Sequence, residues 1–226
     1  MPRKWVKEEL RKDKFSSLVA RFLEWGLNNK ENLLFIGIAV IGAIVFIPLI
    51  VNRYKSINET AYMQLAQAEA AYFKGDKHKA LDFIATAKKD NRTKAYPFAL
   101  FLEADISLQS KNFKKAINIY KNMLVKYKKK KFTPQILINL AMSYEENKEY
   151  ENAQKIYQQF IDKFPFHFLL SEAYLGLARV YESRGEVSKA KEVYNRIKQF
   201  AYLPSSVRDK VEKKLTFMSS FRKKSP

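Results

Sequence analysis

Four pairs of alanines recur along this chain at a near-constant interval. Ala80, Ala116, Ala153 and Ala190 are spaced by 36, 37 and 37 residues, and Ala68, Ala104, Ala141 and Ala178 each stand twelve residues before them. A fixed interval of this length marks a repeat architecture, in which each unit buries its apolar face against the next. One helical turn after each second alanine comes Ile84, Tyr120, Tyr157 or Tyr194. Two helices that cross closely cannot both carry large side chains at the contact. Alanine lets the backbones approach, and the larger residue one turn on fills the space against the next unit. Tyr144, Tyr157, Tyr181 and Tyr194 are therefore expected in the core.

Each unit reads as two helices joined by a short turn: "FKGDK", "QSKNF", "ENKEY" and "SRGEV". Each turn places a Gly or a Lys/Asn-type residue where the first helix must stop. Pro97 and Pro134 open first helices, where a missing N–H is harmless, and Thr133 is the expected N-cap. Pro165 and Pro204 break the chain after the last two units. Beyond Pro204, Ser206 and Asp209 suggest a capping box, and Val207, Val211, Leu215 and Met218 form one face of a last helix. That helix is expected to cover the open end of the stack.

These residues resemble the tetratricopeptide repeat family. The third unit matches with Leu137, Leu140, Ala141, Tyr144, Ala153, Tyr157 and Pro165, and the fourth with Tyr174, Leu177, Ala178, Tyr181, Gly185, Ala190 and Tyr194. The second (Ala104, Phe113, Ala116, Tyr120) and the first (Ala68, Gly75, Ala80, Ala87) match less fully. The family's tryptophan is absent, and the interval exceeds the usual 34 residues. The resemblance spans residues 59–203. It implies an all-α solenoid of about four helix pairs whose first helices line a concave face. Carried over by position, that face holds Tyr62, Leu65, Tyr72, Phe98, Phe101, Leu108, Ile138 and Met142 as expected partner-binding residues. Glu69, Asp105, Gln135, Glu145, Glu172, Leu175, Arg179 and Glu182 share it. An apolar surface of this kind suits apolar peptide segments or an inserted helix of a protein partner; the alternative is a groove filled by the chain's own helices.

Before the repeats lies "LLFIGIAVIGAIVFIPLIV", Leu33 to Val51, with no charged residue. Nineteen helical residues rise about 28 Å, close to the hydrocarbon thickness of a bilayer. The run is too long for a signal-peptide core and lacks a small-residue cleavage site, so it reads as a retained transmembrane helix. The tail before it carries Arg3, Lys4, Lys7, Arg11, Lys12, Lys14, Arg21 and Lys30; the far side begins with Arg53 and Lys55. Over the whole tail this excess keeps the N-terminus in the cytoplasm, although the two sides nearly tie close to the span. Val6, Leu10, Phe15, Leu18, Val19, Phe22 and Leu23 make one stripe of an amphipathic helix. Trp5 and Trp25, the only tryptophans, flank it as interfacial anchors would. A helix packed on a partner protein is the other reading of this tail.

The expected organisation is a basic amphipathic tail (1–32), a transmembrane helix (33–51), a linker (52–58), repeats (59–203), a capping helix (204–221) and a short mobile tail (222–226). Net charge is +19, and 47% of residues are hydrophobic, enough for a core. The basic balance either favours acidic partners or simply keeps the surface soluble. The run Lys128–Lys131 reads as a solvated linker that would meet anionic lipid headgroups rather than nucleic acid if the domain faces outward.

With no cysteine, disulfides and thiol chemistry are excluded. His78 and His167 are isolated, in a turn and a linker, and no phosphate loop, HExxH or nucleophile elbow occurs. No catalytic, metal or cofactor site and no small-molecule substrate is expected.

A short tail, one span and a tetratricopeptide domain together resemble the ancillary subunit of the bacterial Sec translocon. That resemblance implies a periplasm-facing adaptor or chaperone-like accessory subunit in the inner membrane. The alternative is a structural subunit of a large envelope machine, such as a spirochaete periplasmic flagellar collar. A third reading is an organelle import receptor with its domain in the cytosol.

Overall fold

The computed structural model describes residues 15–22, 24–25, 29–127, 132–200 and 203–222. Trp5, Val6, Leu10, Leu23, Lys128–Lys131 and the tail 223–226 lie outside them. Among the described residues the chain is all-α. The elements are α1 (Lys30–Phe73), α2 (Lys77–Ala87), α3 (Tyr96–Gln109), α4 (Phe113–Lys126), α5 (Thr133–Glu146), α6 (Tyr150–Lys163), α7 (Leu170–Ser183), α8 (Val187–Lys198) and α9 (Ser205–Arg222). The chain divides into two compact units, residues 1–57 and 58–226.

In the first unit, residues 15–22 are helical. Their apolar members Phe15, Leu18, Val19 and Phe22 are exposed, as is Trp25, whose ring lies 6.0 Å from that of Phe22. α1 contains Pro48 and is the one helix, among the described residues, long and apolar enough to cross a membrane. Its most apolar window has a mean hydropathy of 3.0 and is entirely unburied. The linker expected at 52–58 is helical and falls inside α1. "NRYKSINETAYM" contains no Gly or Pro, so nothing in the sequence stops the helix before Phe73.

The second unit is the solenoid. The end of α1 pairs with α2, α3 with α4, α5 with α6 and α7 with α8, and α9 closes the stack against α8. All eight repeated alanines are fully buried, as the close-crossing argument requires. Tyr120, Tyr157 and Tyr194 are buried beside them, with Phe160, Leu137, Leu140 and Ile136. Each such aliphatic or phenyl side chain contributes roughly 1.5–3 kcal/mol on burial. The core runs continuously from Ala104 to Val211; a second cluster, from Ala61 to Ile106, serves the first helix pair. On α9, Val211 is buried, and Val207, Leu215 and Met218 pack on the core, as their spacing predicts.

The four turns share one backbone conformation. Gly75, Lys111, Lys148 and Gly185 have φ of +83°, +60°, +62° and +74°. After each, an N–H reaches back five residues: Asp76 to Ala71, Asn112 to Ser107, Glu149 to Tyr144 and Glu186 to Tyr181, at 2.8–3.0 Å. This satisfies the carbonyls that the first helix leaves open. Asp76 and Asn112 then accept from the N–H groups of Lys79 and Lys115, capping the second helix.

Three local expectations are corrected. Thr133 is not an N-cap but the first residue of α5, and its hydroxyl donates to the Tyr127 carbonyl at 3.1 Å. Ser206 lies inside α9, because the Pro204 carbonyl already accepts from the N–H groups of Val207 and Arg208. His78 is in the first turn of α2 rather than in the preceding turn.

Candidate protein-binding surface

The first helices of the pairs carry the residues expected on the concave face, and the structure divides them into two kinds. Leu65 and Ile138 are 6% and 1% exposed; their surface is spent on the core and offers a partner little. Tyr62 and Phe98 are 41% and 49% exposed. Tyr72, Phe101, Leu108 and Met142 are half-buried and packed on the core from outside. Phe101 stands edge-on to Tyr120 at 5.7 Å, and Phe98 touches Phe132 at 6.0 Å. The apolar part of this surface therefore belongs to the first two units, with its exposed aromatics on α1 and α3.

Further along, the face becomes polar through a repeated hydrogen-bond rung. In the second unit, Tyr120 of α4 donates to Asp105 of α3 at 2.7 Å. Asn139 of α5 donates to the same carboxylate at 2.9 Å and to the Tyr120 oxygen at 3.1 Å, and receives the Gln135 amide at 3.0 Å. In the third unit, Tyr157 of α6 donates to Glu145 of α5 at 2.8 Å. Arg179 of α7 grips that carboxylate with both Nε and a terminal nitrogen, at 2.6 and 2.9 Å. In the fourth, Tyr194 of α8 donates to Glu182 of α7 at 3.1 Å, and Lys214 of α9 reaches it at 2.8 Å.

Each acid is thus held by the tyrosine of its own pair and by a nitrogen from the next element in the stack, 34, 34 and 32 residues on. α9 supplies the last nitrogen as a fifth first-helix would. The rungs join neighbouring units through charge-assisted bonds, which resist sliding because each needs both partners in register.

Burial, then the adjacent carboxylate, pushes the Tyr120, Tyr157 and Tyr194 phenols well above their ordinary range, so they remain donors. Burial also raises Asp105, against the pull of its bonds from Tyr120 and Asn139. Glu103, outside the rungs, goes the other way. Burial alone would raise it, but the Lys88 and Lys115 ammoniums outweigh that and lower it.

The tyrosines were legible as core residues. Their hydroxyl partners were not, because the acid sits at different offsets: Asp105 follows Ala104 directly, whereas Glu145 and Glu182 lie four residues after Ala141 and Ala178. Every carboxylate on this face that bonds a tyrosine is engaged structurally. Among the described residues no three His, Asp or Glu side chains come together in a way that would hold a metal ion. What the arrangement offers is a shaped surface, apolar at one end and polar at the other.

The model of the tetratricopeptide repeat family matches residues 132–200, the third and fourth helix pairs. No curated protein matches the chain. Among solved structures, it is similar to a tetratricopeptide repeat protein from Parabacteroides merdae at 14% identity, covering 70% of this chain and 71% of that one, with a TM-score of 0.44. It is also similar to a thermophilic tetratricopeptide repeat protein of Thermus thermophilus at 16% identity, covering 69% of this chain and 99% of that one, with a TM-score of 0.38. The match to the tetratricopeptide repeat family thus spans α5–α8, the third and fourth helix pairs.

Proposed function

We propose that this chain is a membrane-anchored protein-interaction module. In this reading, 33–51 is the span, 59–203 are the repeats and 204–221 form the cap. The N-terminus lies in the cytoplasm, and the solenoid stands on the other side, the periplasm of a bacterial inner membrane. The apolar end of the first-helix face docks an apolar segment of a protein partner.

The observation that carries this reading is the exposure of Tyr62 on α1 and Phe98 on α3, with Tyr72, Phe101, Leu108 and Met142 half-buried and packed on the core. Aromatic groups of this kind, rigid and half-seated, carry most of the binding energy in protein interfaces. The unburied apolar window of α1 supports the anchor, since an exposed run of this hydropathy has no stable place in water.

The finer reading is an adaptor or chaperone-like accessory subunit of a membrane complex such as the Sec translocon, resting on the layout of tail, span and repeats. The alternative is a structural role in a large envelope assembly, for which the hollow of about 350 Å³ between Glu182, Val187, Lys214, Phe217 and Met218 would be a contact site.

A photo-reactive amino acid at Phe98 in the full-length protein, in its native membrane, tests the docking reading. Protein adducts are expected from position 98 and not from Lys155 on the outer helix α6; adducts from neither overturn it. Alkaline phosphatase fused after Pro226 tests the anchor. An active enzyme is expected, and an inactive one with an active cytoplasmic reporter at the same point overturns the topology.

A further inference from the structure

The solenoid has two edges. One carries the tight turns at Gly75, Lys111, Lys148 and Gly185. The other carries the connections from each second helix to the next first helix, including 88–95 and 164–169. The second edge is built differently. Phe166 is 100% exposed and Phe168 81%. They are not on a loose loop: the His167 ring between them stacks on Phe168 at 4.4 Å and stands edge-on to buried Phe160 at 5.7 Å. The His167 Nδ1 also accepts the Leu169 N–H at 3.2 Å. A fixed loop therefore holds two phenyl groups out into solvent, an arrangement that water penalises and that asks for an apolar cover.

The same edge is where the chain enters the solenoid. The Asn58 side chain accepts the N–H of Lys94, in the 88–95 connection, at 2.8 Å. Only six residues separate Asn58 from Val51, the end of the apolar run. Even fully extended, that stretch reaches no more than about 25 Å. This edge also carries exposed Lys94 and Lys163, and Lys126 lies over the rings of Tyr96 and Tyr127 at 4.8 and 5.6 Å. Of the acids on this edge, Asp90 is paired with Arg92, and Asp162, beside Lys163, accepts from the Gln158 amide. Aromatic rings mixed with long cationic side chains are the composition that settles at a lipid headgroup layer.

We propose that this edge of the solenoid rests on the bilayer surface, with Phe166 and Phe168 seated at the boundary between headgroups and acyl chains and the neighbouring lysines on anionic headgroups. The proposal depends on the reading of Leu33–Val51 as a membrane span. It would set this edge of the solenoid, and not the edge of the tight turns, against lipid.

The chain has no cysteine, so single-cysteine labelling is clean. Three full-length variants are made: Phe168→Cys, Glu151→Cys at the opposite edge, and Ile41→Cys inside the span. The 14 residues of α6 set Glu151 about 20 Å from the 164–169 loop. Each is labelled with an environment-sensitive fluorophore and reconstituted, with no other protein, in phosphatidylcholine vesicles containing roughly a quarter phosphatidylglycerol and a nitroxide-labelled lipid. Quenching at positions 41 and 168, several-fold stronger than at 151, is expected. Quenching at 41 with position 168 as unquenched as 151 overturns this proposal alone and leaves that edge to a protein partner. Equal quenching at 168 and 151 overturns the edge preference. No quenching at 41 overturns the span, and the proposal with it.

Discussion

Gly176 of α7 lies under the ring of Tyr157: a Cβ built on it would stand 2.2 Å from Cζ and 2.6 Å from the phenol oxygen. The ring cannot give way cheaply, because it is fully buried and its hydroxyl is tied to Glu145. One unit earlier, Asn139 occupies the equivalent position and meets Tyr120 not by shrinking but by donating to its oxygen. The two units solve the same contact by different chemistry. Gly176→Ala usually favours a helix by about 1 kcal/mol. Here the sign is expected to reverse, with a loss of about 1–3 kcal/mol from forced displacement of the tyrosine. Thermal melting of the full-length protein checks it; an unchanged or raised melting temperature contradicts the packing.

The turns give a second test. Lys111 and Lys148 hold the left-handed conformation that Gly75 and Gly185 adopt at the equivalent places. A side chain there costs about 1 kcal/mol relative to glycine. Lys148→Gly and Lys111→Gly are each expected to raise stability by about that amount, and Gly185→Ala to lower it similarly. Denaturant melts of the three variants should separate in that order.

The alanine interval made the stack legible because close helix crossing leaves few alternatives to a small residue. The turn glycines likewise marked two of four turns outright. What stayed hidden depended on neighbours in space. Leu65 and Ile138 lie at positions that the repeat assigns to the inner face, yet they are buried, because helix packing there closes over aliphatic residues and leaves the rings of Tyr62 and Phe98 outside. The rungs were hidden for the same reason: Arg179 and Glu145 are a pair only once consecutive units stack. Phe166 and Phe168 read as part of a linker beside Pro165, and sequence alone does not say that His167 pins the loop and turns both rings outward.

Asp105 should leave a signature in the pH dependence of stability. Burial raises its folded-state pKa above the ordinary aspartate value of 3.8. The folded state therefore holds this proton more tightly than the unfolded one. Its contribution is fully present below the unfolded pKa and is lost as pH rises through the raised folded value. Asp105→Asn keeps an acceptor for Tyr120 and removes the titration. Relative to the parent, the variant should gain stability as pH climbs from about 4 towards neutrality, then show a constant difference. Glu103 acts oppositely: its lowered pKa gives stability above the unfolded value that is lost on acidification. Denaturant melts across that range, compared between Asp105→Asn and Glu103→Gln, should show slopes of opposite sign.

The central claim is that Tyr62 and Phe98 are surface for a partner rather than part of the core. The double variant Tyr62→Ala, Phe98→Ala tests it most directly, with melting and crosslinked partner capture measured on the same full-length, membrane-embedded protein. Capture is read from a second photo-reactive group at Met142, farther along the same face. Since both rings are nearly half exposed, melting is expected to shift by no more than about 1–2 kcal/mol equivalent, while partner adducts are lost. Full capture together with a large fall in melting temperature would contradict the account: the two rings would then be supports of the fold, and the partner would bind elsewhere.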